Sequence, residues 1–179
     1  MKFQPFSFSF SYKDQAVELY QSAFPEEERR PTKQWLQLNE ESPYFQILLI
    51  EHEGKFAGIF AYWDFSDFIY VEHFATSPLL RGKGLGRDVM ESFVKRHDGV
   101  PIILEVELPK TSIAIRRIGF YERQGFTIIN KPYTQPPYPG QTMGLPLHIM
   151  STDAVYASEC FDQIVDIIHR EVYHVKAKL

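Results

Sequence analysis

Cysteine is nearly absent: Cys160 stands alone among 179 residues, so no intrachain disulfide can form and no cysteine metal cluster can be assembled. An excess of positive charge is absent too. The formal net charge of -4 and a pI near 5.9 give no overall electrostatic reason to bind nucleic acid or an anionic membrane, and favour a cationic partner. No uncharged apolar run approaches the roughly 18 residues of a membrane span. The opening stretch MKFQPFSFSFSYKD lacks a basic segment leading into a long apolar one. These absences point to a cytoplasmic protein in a reducing compartment. What remains is ordinary: 44% hydrophobic and 23% charged residues suit a single soluble domain over residues 1–179, with a sizeable core.

Residues 3–10 alternate, with Phe6, Phe8 and Phe10 between serines, which is the period of a half-buried strand. Over 12–24, Ala16, Val17, Leu19, Tyr20 and Ala23 recur at helical spacing until Pro25 ends the run. A charged connector follows, in which Glu26, Glu27 and Glu28 read as solvated surface or as an acidic lip suited to an amine. Thr32 is placed to cap a second helix carrying Trp35, Leu36 and Leu38. Two apolar runs, 44–52 and 56–64, flank Glu53-Gly54 as a hairpin, and a strand near 68–76 extends it into a meander.

Leu85, Val89, Met90, Phe93, Val94 and His97 form one helical stripe, closed by Asp98-Gly99. In 101–108, Ile102, Leu104, Val106 and Leu108 alternate with Ile103, Glu105 and Glu107, so two carboxylates share a strand face. Strand, helix, strand in this order calls for one parallel step. A helix over 112–124 carries Ile115, Ile118, Tyr121 and Gln124 along one side and ends at Gly125. A strand over 126–130, a proline-rich loop over 131–144 and a strand over 145–151 follow. The last segment reads as one long amphipathic helix to about Val175, on the stripe Ala157, Phe161, Ile164, Ile168, Val172 and Val175. The fold class is α/β (α+β): a mixed, mostly antiparallel sheet flanked by helices. The long C-terminal helix can pack on its own sheet or on a second copy in a homodimer.

In Arg81-Gly82-Lys83-Gly84-Leu85-Gly86 the glycines alternate just where a helix begins. Uncovered backbone N–H groups and the positive end of the helix suit an anion, and Arg81, Lys83 and Arg87 add full charges, so a pyrophosphate is the natural guest. A plain glycine-rich turn with surface cations is the alternative. A Walker A loop is excluded because Lys83 is followed by Gly84 and not by Ser or Thr. A dinucleotide fingerprint is excluded because the spacing is G-x-G-x-G after an antiparallel meander.

These residues resemble the GNAT superfamily of acyl-CoA-dependent N-acyltransferases. Arg81, Gly84 and Gly86 satisfy its central motif, after a strand ending Phe74-Ala75-Thr76-Ser77-Pro78. The run Phe120-Tyr121-Glu122-Arg123-Gln124-Gly125-Phe126 looks like its helix-end motif. The resemblance implies a GNAT-like fold over nearly the whole chain, acetyl-CoA as co-substrate without a metal, and a small-molecule or protein amine as acceptor. It implies that the pantetheine arm pairs with main-chain groups of Phe74, Ala75 and Thr76. The pyrophosphate would rest on Arg81, Gly82, Lys83, Gly84, Leu85, Gly86 and Arg87. One departure stands out: many relatives carry an Asn where this chain has Ala114.

Direct transfer needs a neutral amine and a proton or hydrogen bond for the departing thiolate. Tyr121 is the family-matched acid, with a packed core aromatic as the alternative. Glu72 is the first candidate base, because it shares strand parity with Phe74 and Thr76; Glu105 is the second. Both can equally be solvated or salt-bridged sheet residues. His73, on the opposite parity, reads as a core histidine. Tyr133 and Tyr138, among prolines, are expected to wall the acceptor pocket. His169 and His174 lie off one helical face and do not suggest a metal site. A catalytically inactive acyl-CoA-binding module is the rival to the enzyme.

Overall fold

Glu53 and Gly54 take φ of 51° and 72°, the mirror-image turn whose twist matches that of paired strands. They join β2 (Phe45–His52) to β3 (Lys55–Asp64) as an antiparallel hairpin. In this computed structural model, which describes residues 1–7, 11–80, 82, 84–138 and 140–175, the chain divides into two units, Met1–Val100 and Pro101–Leu179.

In the first unit, β1 (Lys2–Pro5) pairs with β2 and β4 (Ile69–Thr76) pairs with β3, every pairing antiparallel. β1 is shorter than the alternation over 3–10 implies. Its ladder closes at Pro5, although the Phe6 N–H still reaches the Ile47 carbonyl at 2.8 Å; Phe8 and Phe10 lie outside the described residues. Helices α1 (Lys13–Ala23), α2 (Thr32–Glu41) and α3 (Leu85–Arg96) complete the unit. Thr32 does not cap α2. Pro31 holds the cap position, and the Thr32 hydroxyl accepts from Gln21 at 2.9 Å.

β3 is buried without interruption from Ala57 to Trp63 because both of its faces are covered. Phe60 stacks on Phe93 of α3 with centroids 4.0 Å apart. Tyr20 of α1 lies flat on Trp35 of α2 at 4.0 Å and meets His73 of β4 edge-on at 5.1 Å.

The second unit contains β5 (Ile102–Glu107), α4 (Ser112–Glu122), β6 (Thr127–Ile128), β7 (Tyr133–Gln135) and β8 (Leu145–Ser151). β8 pairs antiparallel with β5, β6 and β7. The segment expected as a proline-rich loop thus holds a short strand. Pro132 and Pro136 bracket β7 without interrupting it, and a Cβ at Gly144 would come within 2.8 Å of the Gln135 carbonyl oxygen, so only glycine lets the chain pass there. On α4 the buried positions are Ala114 and Ile118, whereas Ile115 is 56% exposed, contrary to the stripe read from the sequence.

The C-terminal segment is not one long helix. It consists of α5 (Ala154–Glu159), α6 (Phe161–Ile167) and a π-turn over Ile168–Val172. Cys160, at φ -96° and ψ 13°, leaves helical geometry between the first two. The Ser158 hydroxyl donates back to the Ala154 carbonyl at 2.6 Å, a bond that loosens a helix locally. Val175, expected on the buried stripe, is 42% exposed, while Tyr173 is buried at 3%. No helix among the described residues is long and apolar enough to cross a membrane.

Candidate functional site

In the first unit the candidate site is the end of β4 and the opening of α3. Gly58 of β3 faces Thr76 in the ladder, and a Cβ there would sit 2.4 Å from the Ala75 carbonyl oxygen. The missing side chain is therefore what lets the two backbones approach at Ala75–Thr76. Beyond β4, Gly82 and Gly84 both have φ of 79°, the left-handed region that favours glycine. Gly84 occupies the N-cap of α3 and, among the described residues, no side chain accepts from the first-turn amides. Leu85 is buried and Gly86 lies in the first turn, so this stretch presents main chain. Arg87 donates to Asp88 at 2.9 and 3.0 Å. Arg81 and Lys83 lie outside the described residues.

Glu72 behaves differently from the strand-parity expectation. Ala61 pairs with His73 and Tyr62 with Val71, so Glu72 is the extra residue of a β-bulge and the alternation breaks at it. Its side chain is 0% exposed. One carboxylate oxygen lies 3.1 Å from the Arg30 guanidinium, and the other accepts from the Trp63 indole N–H at 2.6 Å. Phe74, by contrast, meets Phe60, the ring stacked on α3. Glu72 therefore does not share the face of Phe74 and Thr76, and its carboxylate is enclosed by protein donors. His73 also turns inward, with Nε2 3.1 Å from the Glu28 carbonyl oxygen. Burial holds its pKa below the usual histidine value, against the pull of Glu72.

In the second unit, Tyr121 is half-buried near the end of α4, its ring edge-on to Phe120 at 5.2 Å and Phe126 at 5.6 Å. Gly125, at φ 87°, turns the chain so that the Phe126 N–H bonds to the Tyr121 carbonyl. Burial pushes the phenol up to about 12, with Arg117 pulling down and Glu107 pushing up. Arg117 and Glu107 are themselves an ion pair. Ala114 is buried, its N–H bonded to the capping Thr111 hydroxyl at 3.1 Å.

Glu105 is half-buried on β5. Its two oxygens accept from two phenols: Oε1 from the Tyr133 hydroxyl, and Oε2 from the Tyr173 hydroxyl at 2.8 Å. The Gln135 amide donates in turn to the Tyr173 oxygen at 2.7 Å. Tyr138 meets the Tyr173 ring at 5.1 Å. Tyr133 and Tyr138 are 7% and 2% exposed. Arg30, Trp63, Gln135 and Tyr173 escaped the sequence reading. Arg30 lies in a charged connector that resembles surface, and Tyr173 sits one place off the helical stripe. Among the described residues no group of three His, Cys, Asp or Glu side chains is arranged to hold a metal ion.

The profile of the acetyltransferase (GNAT) family matches residues 11–126. A Bacteroides thetaiotaomicron protein described as a GNAT-family acetyltransferase is 37% identical, with a TM-score of 0.92 over 98% of this chain and 100% of that one. The ribosomal-protein-S18-alanine N-acetyltransferase of Escherichia coli shares the fold at 20% identity, with a TM-score of 0.58 over 84% of this chain and 92% of that one. So does an aminoglycoside 6'-N-acetyltransferase complexed with coenzyme A, at 15% identity and a TM-score of 0.57 over 84% and 96%. A search of the curated proteins returned no match.

Proposed function

The chain belongs to the GNAT acetyltransferase family, and from that premise we propose that it transfers an acetyl group from acetyl-CoA to a primary amine of a small molecule or protein by direct attack. The observation that carries the proposal is the opening of α3: a left-handed Gly84 at the cap, no side chain among the described residues on the first-turn amides, and a Gly82 at which a Cβ would meet nothing within 4 Å. Such a cradle fits a pyrophosphate approaching the main chain. Bound acetyl-CoA supplies the activated thioester.

The chain's own residues take the following roles. Main-chain groups of Phe74, Ala75 and Thr76 hold the pantetheine arm. The amides from Gly82 to Arg87 hold the pyrophosphate, with Arg81, Lys83 and Arg87 lending charge. Tyr121 gives a hydrogen bond or proton to the departing sulfur. A phenol pushed up to about 12 stays protonated at neutral pH and is therefore a standing donor. Glu105 becomes the preferred candidate base, because the Glu72 carboxylate is held against the Arg30 guanidinium and the Trp63 indole, whereas the two phenols on Glu105 are neutral donors. Glu72 is proposed to brace the β4 bulge. Tyr133 and Tyr138 shape the acceptor side from within, the first through Glu105 and the second through Tyr173.

The second reading is an inactive acyl-CoA-binding module, favoured by Ala114 in place of the relatives' Asn and by the closure around Glu72. One assay separates them. The protein is mixed with acetyl-CoA and an amine panel containing an aminoglycoside, a polyamine and an alanine-ended peptide, and free thiol is followed. Amine-dependent release supports the enzyme. Tight acetyl-CoA binding without such release across the panel rejects it in favour of the module.

A further inference from the structure

We infer that Tyr133 and Tyr173 are positioning residues that orient the Glu105 carboxylate and set its readiness to take a proton, an inference that rests on Glu105 as the candidate base. The hydrogen-bond directions follow from the charge. An ionised carboxylate only accepts, so both phenols must donate to it. The Tyr173 oxygen is then left as an acceptor, and the Gln135 amide fills that role at 2.7 Å. Gln135 thereby fixes the Tyr173 proton on Glu105. Tyr173, Gln135 and Tyr133 are 3%, 6% and 7% exposed, so little water competes for these bonds.

Two irregular features deliver the clamp. β7, the short strand between prolines, carries both Tyr133 and Gln135 on its buried side. In the π-turn the Tyr173 N–H reaches the Ile168 carbonyl, five residues back, at 3.3 Å. A regular α-turn would close after four residues. The wider turn lets Val172 and Tyr173 both be buried.

The surroundings keep the Tyr133 phenol neutral. Burial first, and Glu105 second, push the Tyr133 phenol well above the usual tyrosine value, so it remains a donor. His169 packs on Tyr133 and Tyr173, and burial holds its pKa below the usual histidine value. Groups on the neighbouring elements include Tyr138 against Tyr173, Glu107 on the strand of Glu105 and tied to Arg117 of α4, and His148 on β8 beside Ile149, the residue opposite Glu105.

Donors that favour the charged carboxylate lower its proton affinity. Removing one must raise it. In the full chain, Tyr173→Phe and Tyr133→Phe are each compared with the parent by titrating carbon-13-labelled glutamate carboxyls, the Glu105 signal being identified by its loss in Glu105→Gln. Each Phe variant should move that titration up by about one pH unit. In acetyl-CoA turnover with the amine panel, the acidic limb should move in the same direction, with the affinity for acetyl-CoA unchanged. A Glu105 titration that stays put in both variants overturns the clamp, whatever the kinetics show. A titration that moves while the limb does not rejects Glu105 as the base and, with it, the positioning role, leaving only a structural clamp.

Discussion

Arg30 and Glu72 form an ion pair of 3.1 Å whose side chains are 3% and 0% exposed. A pair sealed in this way is costly to break from one side, because the survivor is left as a buried, uncompensated charge. Glu72→Leu and Arg30→Met should each destabilise the chain by about 3–5 kcal/mol, read by urea unfolding. The double replacement should lose clearly less than the sum of the two. Additive losses would show that the carboxylate and guanidinium do not depend on each other.

The same enclosure makes His73 an acid-sensitive element. Its folded-state pKa is depressed below the ordinary 6.5, chiefly by burial. For a group depressed in this sense, stability is present above the unfolded pKa and is lost as pH falls through it towards the folded value, because the unfolded state takes up the proton first. The melting temperature should therefore drop between about pH 7 and 5, and His73→Gln should flatten that drop. Some slope will survive in the variant, since His169 is depressed for the same reason.

Tyr121 offers a test of chemistry and of linkage in one variant. Tyr121→Phe should lower turnover by about 100-fold or more while leaving acetyl-CoA affinity in place; unchanged turnover would remove it from the mechanism. Its phenol is raised from 10.0 to about 12, so the folded state holds the proton longer than the unfolded one. The stability this confers is full below pH 10 and is lost as pH rises towards 12. The Phe variant should accordingly show a shallower alkaline loss of stability, though not a flat one, because Tyr20 and Tyr133 are raised as well.

Features set by local chemistry were legible in the sequence, while those set by an extra residue were not. Glu53-Gly54 announced its turn, and Gly125 its helix end, because positive φ selects so few residue types. The glycine loop and the Tyr121 motif pointed to the family for the same reason. Strict alternation, however, carried Glu72 to the wrong face, since one bulged residue on β4 flips everything past it. A one-residue widening of the last helical turn likewise hid Tyr173 behind the stripe of Ile168 and Val172. Tertiary partners decide such insertions, and Arg30, drawn from a connector rich in charge, is one that no local pattern marks.

Gly58 links the hairpin to cofactor binding in a way that a single methyl group can probe. A Cβ at this position would lie 2.4 Å from the Ala75 carbonyl oxygen and 3.1 Å from the Thr76 Cα. Both are backbone atoms, so no side-chain rotation relieves the clash, and β4 must shift where its main chain is proposed to meet the pantetheine arm. Overpacking of this kind costs about 1–3 kcal/mol, so Gly58→Ala should unfold at lower denaturant yet remain folded at room temperature. Its dissociation constant for coenzyme A, measured by calorimetry on protein verified as folded by circular dichroism, should rise by about tenfold, which corresponds to about 1.4 kcal/mol. Gly84→Ala should weaken coenzyme A binding by a separate route, since its left-handed φ of 79° penalises any side chain at the mouth of α3. If Gly58→Ala loses stability but binds coenzyme A as the parent does, the Ala75–Thr76 backbone is not where the arm is held, and the pantetheine assignment on β4 falls while the pyrophosphate cradle is left to stand on Gly84 alone.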